Sequence, residues 1–381
     1  MLYHRLDLHT QVSAFFHREF MRRNNVSVQI LNDPTAVYVL RVPGEGDPGH
    51  MDFAHAGYAI LKSLCPAVNG KVLIKPNMIP AGETDAGLTT HPQFVGGMVD
   101  FLREIGVREI AVGEGGWGGR RSMDEIWQRG GYTDLAEEKD IELVDLNLEG
   151  VVTPVPDARF TETLNISARV MDEDTFVIDT PKMKTHNLAV TTLCMKNLMG
   201  TVLCPDRHFC GRSRAKATDE GIQTSSKEEA DRFFSQRYEQ HFGEILTDLA
   251  SVLKPDLCVI EGVMGRDGTA FHRGSNIPSR IVVAGTNAAV VDAFTSYIMG
   301  FDPTMISYLQ EANRRGIGTN DLSQIKVYEA QNGTITPVED KRRLFMGTFE
   351  LISYSGEHRP ELYVNPPTTW KYEENHSRHQ R

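Results

Sequence analysis

The sequence is short of the features that usually assign a protein quickly. It has five cysteines, an odd number, and no C-x-x-C pair. A disulfide framework is therefore not expected, and a reducing compartment is. No apolar run reaches the roughly eighteen residues of a membrane-spanning helix. The N-terminus, MLYHRLDLHTQVSAFFHREFMRR, carries acids and lacks the continuous apolar stretch of a secretory signal. Basic charge is in deficit, with 40 Lys and Arg against 51 Asp and Glu for a net charge of -11. That balance argues against a nucleic-acid partner, which needs a basic face. A nucleophile elbow, a Walker loop and an H-E-x-x-H motif are all missing, as are internal repeats and low-complexity tracts. Neither nucleic acid nor membrane is an expected partner, and the expected location is cytoplasmic.

What is present is an ordinary globular composition, 40% hydrophobic and 24% charged over 381 residues, enough for one large α/β domain or two smaller ones. β-branched runs alternate with helical patterns. KVLIKPN (71–77), REIAVGEGG, IELVDLN, TFVIDTP, LCVIEGV and RIVVAGT read as strands. Residues 89–106 read as a helix whose Phe94, Val95, Met98, Phe101, Leu102 and Ile105 recur at helical spacing, with Pro92 at its start and Gly106 at its stop. SMDEIWQRGG and residues 287–300 are further helices. So is the segment after Ser226, where Phe234, Tyr238, Phe242, Ile245, Leu249 and Leu253 form a stripe behind a capping signal. The fold class implied is α/β, a mostly parallel sheet with helices on both faces and a ligand site at the carboxyl ends of the strands. The domain reading is an N-terminal arm over 1–50, an α/β domain over 51–330 and a C-terminal extension over 331–381 whose last ten or so residues fray. Residues 205–228 are polar and aperiodic, and read as a surface loop able to act as a lid.

The residues at the strand ends carry the chemistry. VLI runs into Lys75-Pro76-Asn77, and IAV into Gly113-Glu114-Gly115-Gly116. FVI runs into Asp179 and then Lys182, Lys184 and His186, and CVI into Glu261-Gly262. Any one lysine is most simply a solvated charge; several converging on one edge make a site. Pro76 holds Lys75 out of helical geometry. His91 precedes a helix whose dipole would keep the imidazole neutral, and the simpler reading makes it an N-cap.

Residues 180–200, TPKMKTHNLAVTTLCMKNLMG, contain no acid. From Lys182 to Lys216 seven basic residues (Lys182, Lys184, Lys196, Arg207, Arg212, Arg214 and Lys216) stand against Asp206 alone, with His186 and His208 besides. Such an excess inside an acidic chain focuses a positive potential suited to a carboxylate or phosphate. The plain alternative is a basic loop lying on the acidic remainder. Gly113, Gly115 and Gly118 match G-x-G-x-x-G after a strand, so NAD(P) is an alternative cofactor. Cys204, His208 and Cys210, with Cys194 upstream, lack the spacing of a familiar metal site. The expectation is no cofactor and no metal, with a metal or NAD(P) as the alternatives.

Taken in order, IKPNM, TTHP, DTPKMKTHNLAVTTLCMKNLMG, IEGVMGRDGTAFHRG and VVDAFTSYIMGFDP resemble the family catalogued as domain of unknown function 362, over about residues 71–328. Many relatives carry a ferredoxin-like module with iron–sulfur cysteine clusters; this chain has no such clusters, which argues against electron transfer. It also has Glu261-Gly262 where relatives often have Asp-Gly, and Phe271-His272 where a small residue and proline are common. Those departures point to a specialised substrate or a biosynthetic tailoring step.

The resemblance implies that Lys75, His91, Lys184 and His186 are catalytic. It implies a substrate-binding set of Asn77, Thr90, Glu114, Lys182, Thr191, Lys196, Asn197, Glu261, Gly265 and Gly268. In that scheme Lys182 and Lys196 hold an anionic group, and His186 or Lys184 moves a proton. Asn77 and Asn197 orient a carbonyl, and the two glycines let the backbone approach the ligand. The function expected is a lyase or isomerase acting on a small carboxylate or phosphorylated metabolite by acid–base chemistry (elimination, isomerisation or epimerisation). A redox or metal-cofactor oxidoreductase and a non-catalytic anion- or nucleotide-binding protein are the alternatives, and an oligomer of like chains is left open.

Overall fold

The computed structural model describes residues 31–372 except 44–50, 69, 81, 117–121, 221–225, 270, 272 and 332. Most of the expected N-terminal arm, part of the expected lid, Gly118 and the chain's last nine residues lie outside the described residues.

The strands are β1 (Ala36–Arg41), β2 (Lys71–Pro76), β3 (Ile110–Glu114), β4 (Glu142–Asp145), β5 (Gly150–Pro154), β6 (Thr163–Ser167), β7 (Thr175–Thr180), β8 (Lys182–His186), β9 (Val190–Thr192), β10 (Leu257–Arg266), β11 (Asn276–Ile277), β12 (Ile281–Gly285), β13 (Lys326–Gln331) and β14 (Thr334–Pro337). One sheet runs in the order β14-β13-β1-β12-β10-β7-β2-β3-β4, while β5 and β6 form a separate ribbon. From β10 through β7, β2 and β3 to β4 all neighbours are parallel, so their carboxyl ends share one edge. β12 runs antiparallel to both β10 and β1, which is where the sheet departs from the parallel pattern. β10 is ten residues long and hosts β7 first and then β8, which resumes in the same direction after Pro181.

Helices cover both faces. α1 (Phe53–Leu64), α2 (Pro92–Glu104), α3 (Met123–Arg129) and α4 (Tyr132–Lys139) pack on one. α2 starts and stops where the sequence signals it: His91 caps Gln93 N, Pro92 occupies the first turn, and Gly106 follows at φ 95°. α1 and α2 touch backbone to backbone at two glycines. A Cβ on Gly57 would stand 1.9 Å from Phe94 O, and one on Gly97 would stand 1.9 Å from Ala54 O. Between these helices and the sheet lie Ile60, Leu61, Phe94, Met98, Phe101 and Leu102, fully buried. Each contributes roughly 1.5–3 kcal/mol of burial.

On the opposite face pack the single-turn helix α5 (Cys194–Asn197), α6 (Phe209–Asp219), α7 (Lys227–Val252), α8 (Ala288–Ile298) and α9 (Ser307–Arg314). Ser226 caps α7 through Glu229 N, and the stripe from Tyr238 to Leu253 is buried as its spacing predicts.

Three segments differ from expectation. Residues 36–41, assigned to an arm, form β1 in the interior of the sheet between β12 and β13. Residues 334–337, assigned to the C-terminal extension, add β14 to the sheet edge. Residues 205–228, read as loop, contain α6. Phe209, Ser213 and Ala217, four apart, are its buried face, and a stripe with one large apolar residue gives little periodic signal. No described helix is long and apolar enough to cross a membrane.

Candidate active site

Parallel register sets the site. Lys75 on β2 stands beside Asp179 on β7, and Asp179 beside Cys258 on β10. Glu114 ends β3 one strand further out. Lys75 Nζ donates to Glu114 Oε2 at 2.8 Å, to Pro76 O at 3.0 Å and to Asn197 Oδ1 at 3.3 Å. Asn197 also accepts from Asn77 Nδ2 at 3.2 Å and donates to Asp179 Oδ1 at 2.7 Å. The turn after α5 lies directly on this pair. A Cβ on Gly200 would come within 2.3 Å of Glu114 Oε1 and 2.7 Å of Lys75 Nζ, so glycine is needed in the K-N-x-x-G block for close approach.

A second pair forms where β8 joins β10. Lys182 and Glu261 are register partners, and Lys182 Nζ meets Glu261 Oε2 at 2.6 Å with both side chains fully buried. His91 borders this pair. Its ring stacks on Phe53 at 3.9 Å, and burial together with the Lys182 charge pushes its pKa down to about 3. Both causes disfavour the charged ring, where the expectation rested on the helix dipole, and His91 Nδ1 accepts from Gln93 N as the α2 cap.

Among the described residues Lys184 has no carboxylate partner. Its ammonium donates to Asn77 Oδ1 at 2.8 Å, Ile79 O at 2.6 Å and Leu88 O at 2.8 Å, fastening both ends of the 77–90 loop. Burial first, then Lys196, Lys182 and Arg266, push its pKa well below the usual lysine range. His186 is fixed in one tautomer. Its Nδ1 accepts from Leu188 N and Ala189 N, both at 3.1 Å, so the neutral ring carries its proton on Nε2. Burial, Lys196 and Lys184 hold it neutral well below pH 6.5. Nothing among the described residues accepts from that Nε2. Lys196 is partly buried; its Nζ faces the Phe242 ring at 6.0 Å and has no acceptor among the described residues. The Phe242 ring also lies parallel to that of His186 at 6.1 Å. Burial, with Lys75 adding to it, lowers the Lys196 pKa although Cys210 opposes.

The remaining candidates take supporting positions. Thr90 Oγ1 donates to Thr180 O and accepts from Asn77 N, tying the loop to β7. Thr191 bonds Ser296 and Tyr308, anchoring β9 to α8 and α9. Gly265 precedes Arg266, the register partner of Lys184, and Gly268 O accepts from Thr185 Oγ1 at 2.8 Å. A Cβ at Gly265 would meet Phe349 and Ser279, and Gly268, at φ 87°, lies against Arg273 O. The glycine loop after β3 is also differently used. Gly113 lies within the strand, and the amides of Gly115 and Gly116 donate to Glu114 Oε1 at 2.8 and 3.3 Å. These two amides are thus committed to a carboxylate. Their carbonyls receive Arg207, which also donates to Asn147. Arg207, counted above toward the positive excess, is therefore a strut.

Four participants are absent from the candidate set. Asp292 on α8 holds Cys194 N at 2.7 Å and Met195 N at 3.0 Å and so sets the start of α5. An acid inside the apolar run AAVVDAF is its signal. Arg266 reaches Asn276 Oδ1 at 2.7 Å, and its signal is the end of β10. Asp179 accepts from Asn197 and has Cys258 as its register partner, a proximity only strand pairing reveals. Cys204 is exposed and Cys210 intermediate, whereas Cys194, Cys258 and Asp179 form a buried cluster.

Comparison with known proteins gives a family and little more. The family model described as Domain of unknown function (DUF362) matches residues 72–296, more than half of the chain. A thylakoid-associated protein of Synechocystis sp. is 25% identical over 247 residues, 65% of this chain and 68% of that protein. Among solved structures, the lactate racemase apoprotein of Thermoanaerobacterium thermosaccharolyticum matches 72% of this chain at 12% identity with a TM-score of 0.36. A Thermotoga maritima protein matches 59% at 12% identity with a TM-score of 0.34. The chain spans 55% and 53% of those two structures' own lengths. Likenesses at such scores carry no argument about activity.

Proposed function

The chain belongs to the DUF362 family, and from that premise we propose that it is an enzyme moving a proton at the carbon next to the carboxylate, or other acidifying group, of a small anionic metabolite. One observation carries the reading. Lys184, Lys196 and His186 lie within electrostatic reach of one another, and none is hydrogen-bonded to a carboxylate among the described residues, whereas Lys75 and Lys182 each are. Charge withdrawn from water is costly unless paired, and an anionic substrate supplies the missing counter-charge.

The donors still open assign the roles. Lys196, with its lowered pKa and no acceptor among the described residues, takes the proton from carbon and returns it. His186 Nε2–H donates to the oxygen on which negative charge develops. Lys184 holds the 77–90 loop and adds positive field, and its saturated donors favour that role over proton transfer. This one step is common to elimination, isomerisation and epimerisation. The same saturation supports a second reading, a non-catalytic anion-binding protein.

The test is a panel of small hydroxy- and oxocarboxylates and phosphomonoesters, assayed by thermal unfolding and by proton NMR in deuterium oxide. A member of the panel should stabilise the wild type but not Lys196→Gln, and should lose its carbon-bound proton signal only with wild type. Stabilisation without exchange selects the binder. Equal stabilisation of Lys196→Gln sinks both readings.

A further inference from the structure

Beneath the lysine cluster lies a group that the proposed reaction does not use. A carboxylate oxygen of Asp179 and the thiols of Cys194 and Cys258 all fall within 4.8 Å of one another. Three separate elements deliver them: the end of β7, the first turn of α5, and β10 beside Asp179. All three side chains are fully buried. Asp179 Oδ1 accepts from Asn197 Nδ2, but its Oδ2 has no partner. A buried carboxylate oxygen without a donor is a rare and costly feature, and two thiols beside it are soft ligands.

We propose that Asp179, Cys194 and Cys258 form a buried site for a divalent cation that prefers thiolate with carboxylate, the zinc class, and that the cation locks β7, β10 and α5 together beneath the substrate site. Zinc, with sulfur at about 2.3 Å and oxygen at about 2.0–2.2 Å, is of a size to bridge three ligand atoms that lie within 4.8 Å of one another. Binding exchanges protons for metal. Each thiol loses its hydrogen to form a metal–sulfur bond, the Asp179 carboxylate coordinates through its open Oδ2, and the two protons pass to solvent. Because binding displaces thiol protons, affinity rises with pH. Two carboxylates and a lysine face the site: Asp292 against Cys194, Glu114 near Asp179, and Lys75, which offsets the excess negative charge of the loaded site. Because every ligand is fully buried, the cation enters as the chain folds and then resists chelators.

The full chain expressed in cobalt-supplemented medium tests this, since thiolate-bound cobalt absorbs in the near ultraviolet whereas histidine- or carboxylate-bound cobalt does not. The expected result is one chelator-resistant cobalt per chain with that absorption. The band should persist in Cys204→Ser/Cys210→Ser and vanish in Cys258→Ser. Asp179→Asn should keep the band but become chelator-sensitive. No sulfur-to-cobalt band in the folded wild type overturns the proposal, and so does a band lost only with Cys204 and Cys210. Because the wild type and the double variant decide it, a folding failure of Cys258→Ser does not shield it.

Discussion

Replacing Lys182 with methionine should destabilise the protein by about 3–5 kcal/mol, because it leaves Glu261 buried and unpaired. At the observed 2.6 Å the gross attraction is about 6 kcal/mol for an effective dielectric constant near 20. Withdrawing the two ions from water costs several kcal/mol each, so the pair itself adds little net stability. Removing one partner forfeits the attraction while the other remains desolvated. Glu261→Leu alone should cost about 1 kcal/mol more than that, because Met264 N also loses its 3.2 Å bond to Glu261 Oε1. The double variant Lys182→Met/Glu261→Leu should lie within about 2 kcal/mol of wild type, since an apolar pair of similar volume carries no desolvation cost. Urea unfolding of the four proteins gives the cycle directly. Single variants within about 1 kcal/mol of wild type would refute the buried-pair reasoning. A stable double variant that binds the anion panel as well as wild type would remove this pair from the functional site and confine the site to Lys184, Lys196 and His186.

Three further outcomes follow from the geometry. His186→Asn places an amide oxygen where Nδ1 accepts from Leu188 N and Ala189 N, so stability should change by about 1 kcal/mol or less while proton exchange falls about 100-fold or more; an active variant would free the Nε2 proton of its role. His91 stays neutral in the folded protein down to about pH 3 but binds a proton near pH 6.5 when unfolded. Its contribution is therefore full above pH 6.5 and lost as pH falls from there toward 3, by up to about 1.4 kcal/mol per pH unit. His91→Gln should flatten that part of a urea-stability profile, and an unchanged slope would place the titration elsewhere. Gly200→Ala should cost about 1–3 kcal/mol and weaken anion binding by crowding the Lys75–Glu114 pair, whereas Gly211→Ala, within α6 and with nothing within 4 Å of its added Cβ, should gain about 0.5–1 kcal/mol; thermal unfolding separates the two, and equal effects would contradict the packing described.

Local order was legible in the residues themselves. Strand and helix positions followed from the period of the apolar residues, and the caps at His91 and Ser226 from residue type and place, because both are properties of a few consecutive residues. That Lys75, Glu114, Lys182, Lys184, His186 and Glu261 gather at one edge also followed, since parallel strands expose their carboxyl ends together. Tertiary structure alone decided which charges cancel. Lys75 meets Glu114 and Lys182 meets Glu261 through strand order and register, which depend on contacts between residues 39 and 79 positions apart. The same distance hid β1, whose partners β12 and β13 come more than two hundred residues later. It also hid the Asp179–Cys194–Cys258 group, which no spacing motif encodes because three separate elements supply it. A lysine-rich stretch in a sequence shows charge; whether that charge is neutralised, tied down as in Lys184 or left open as in Lys196 depends on neighbours that only the folded sheet brings within hydrogen-bonding distance.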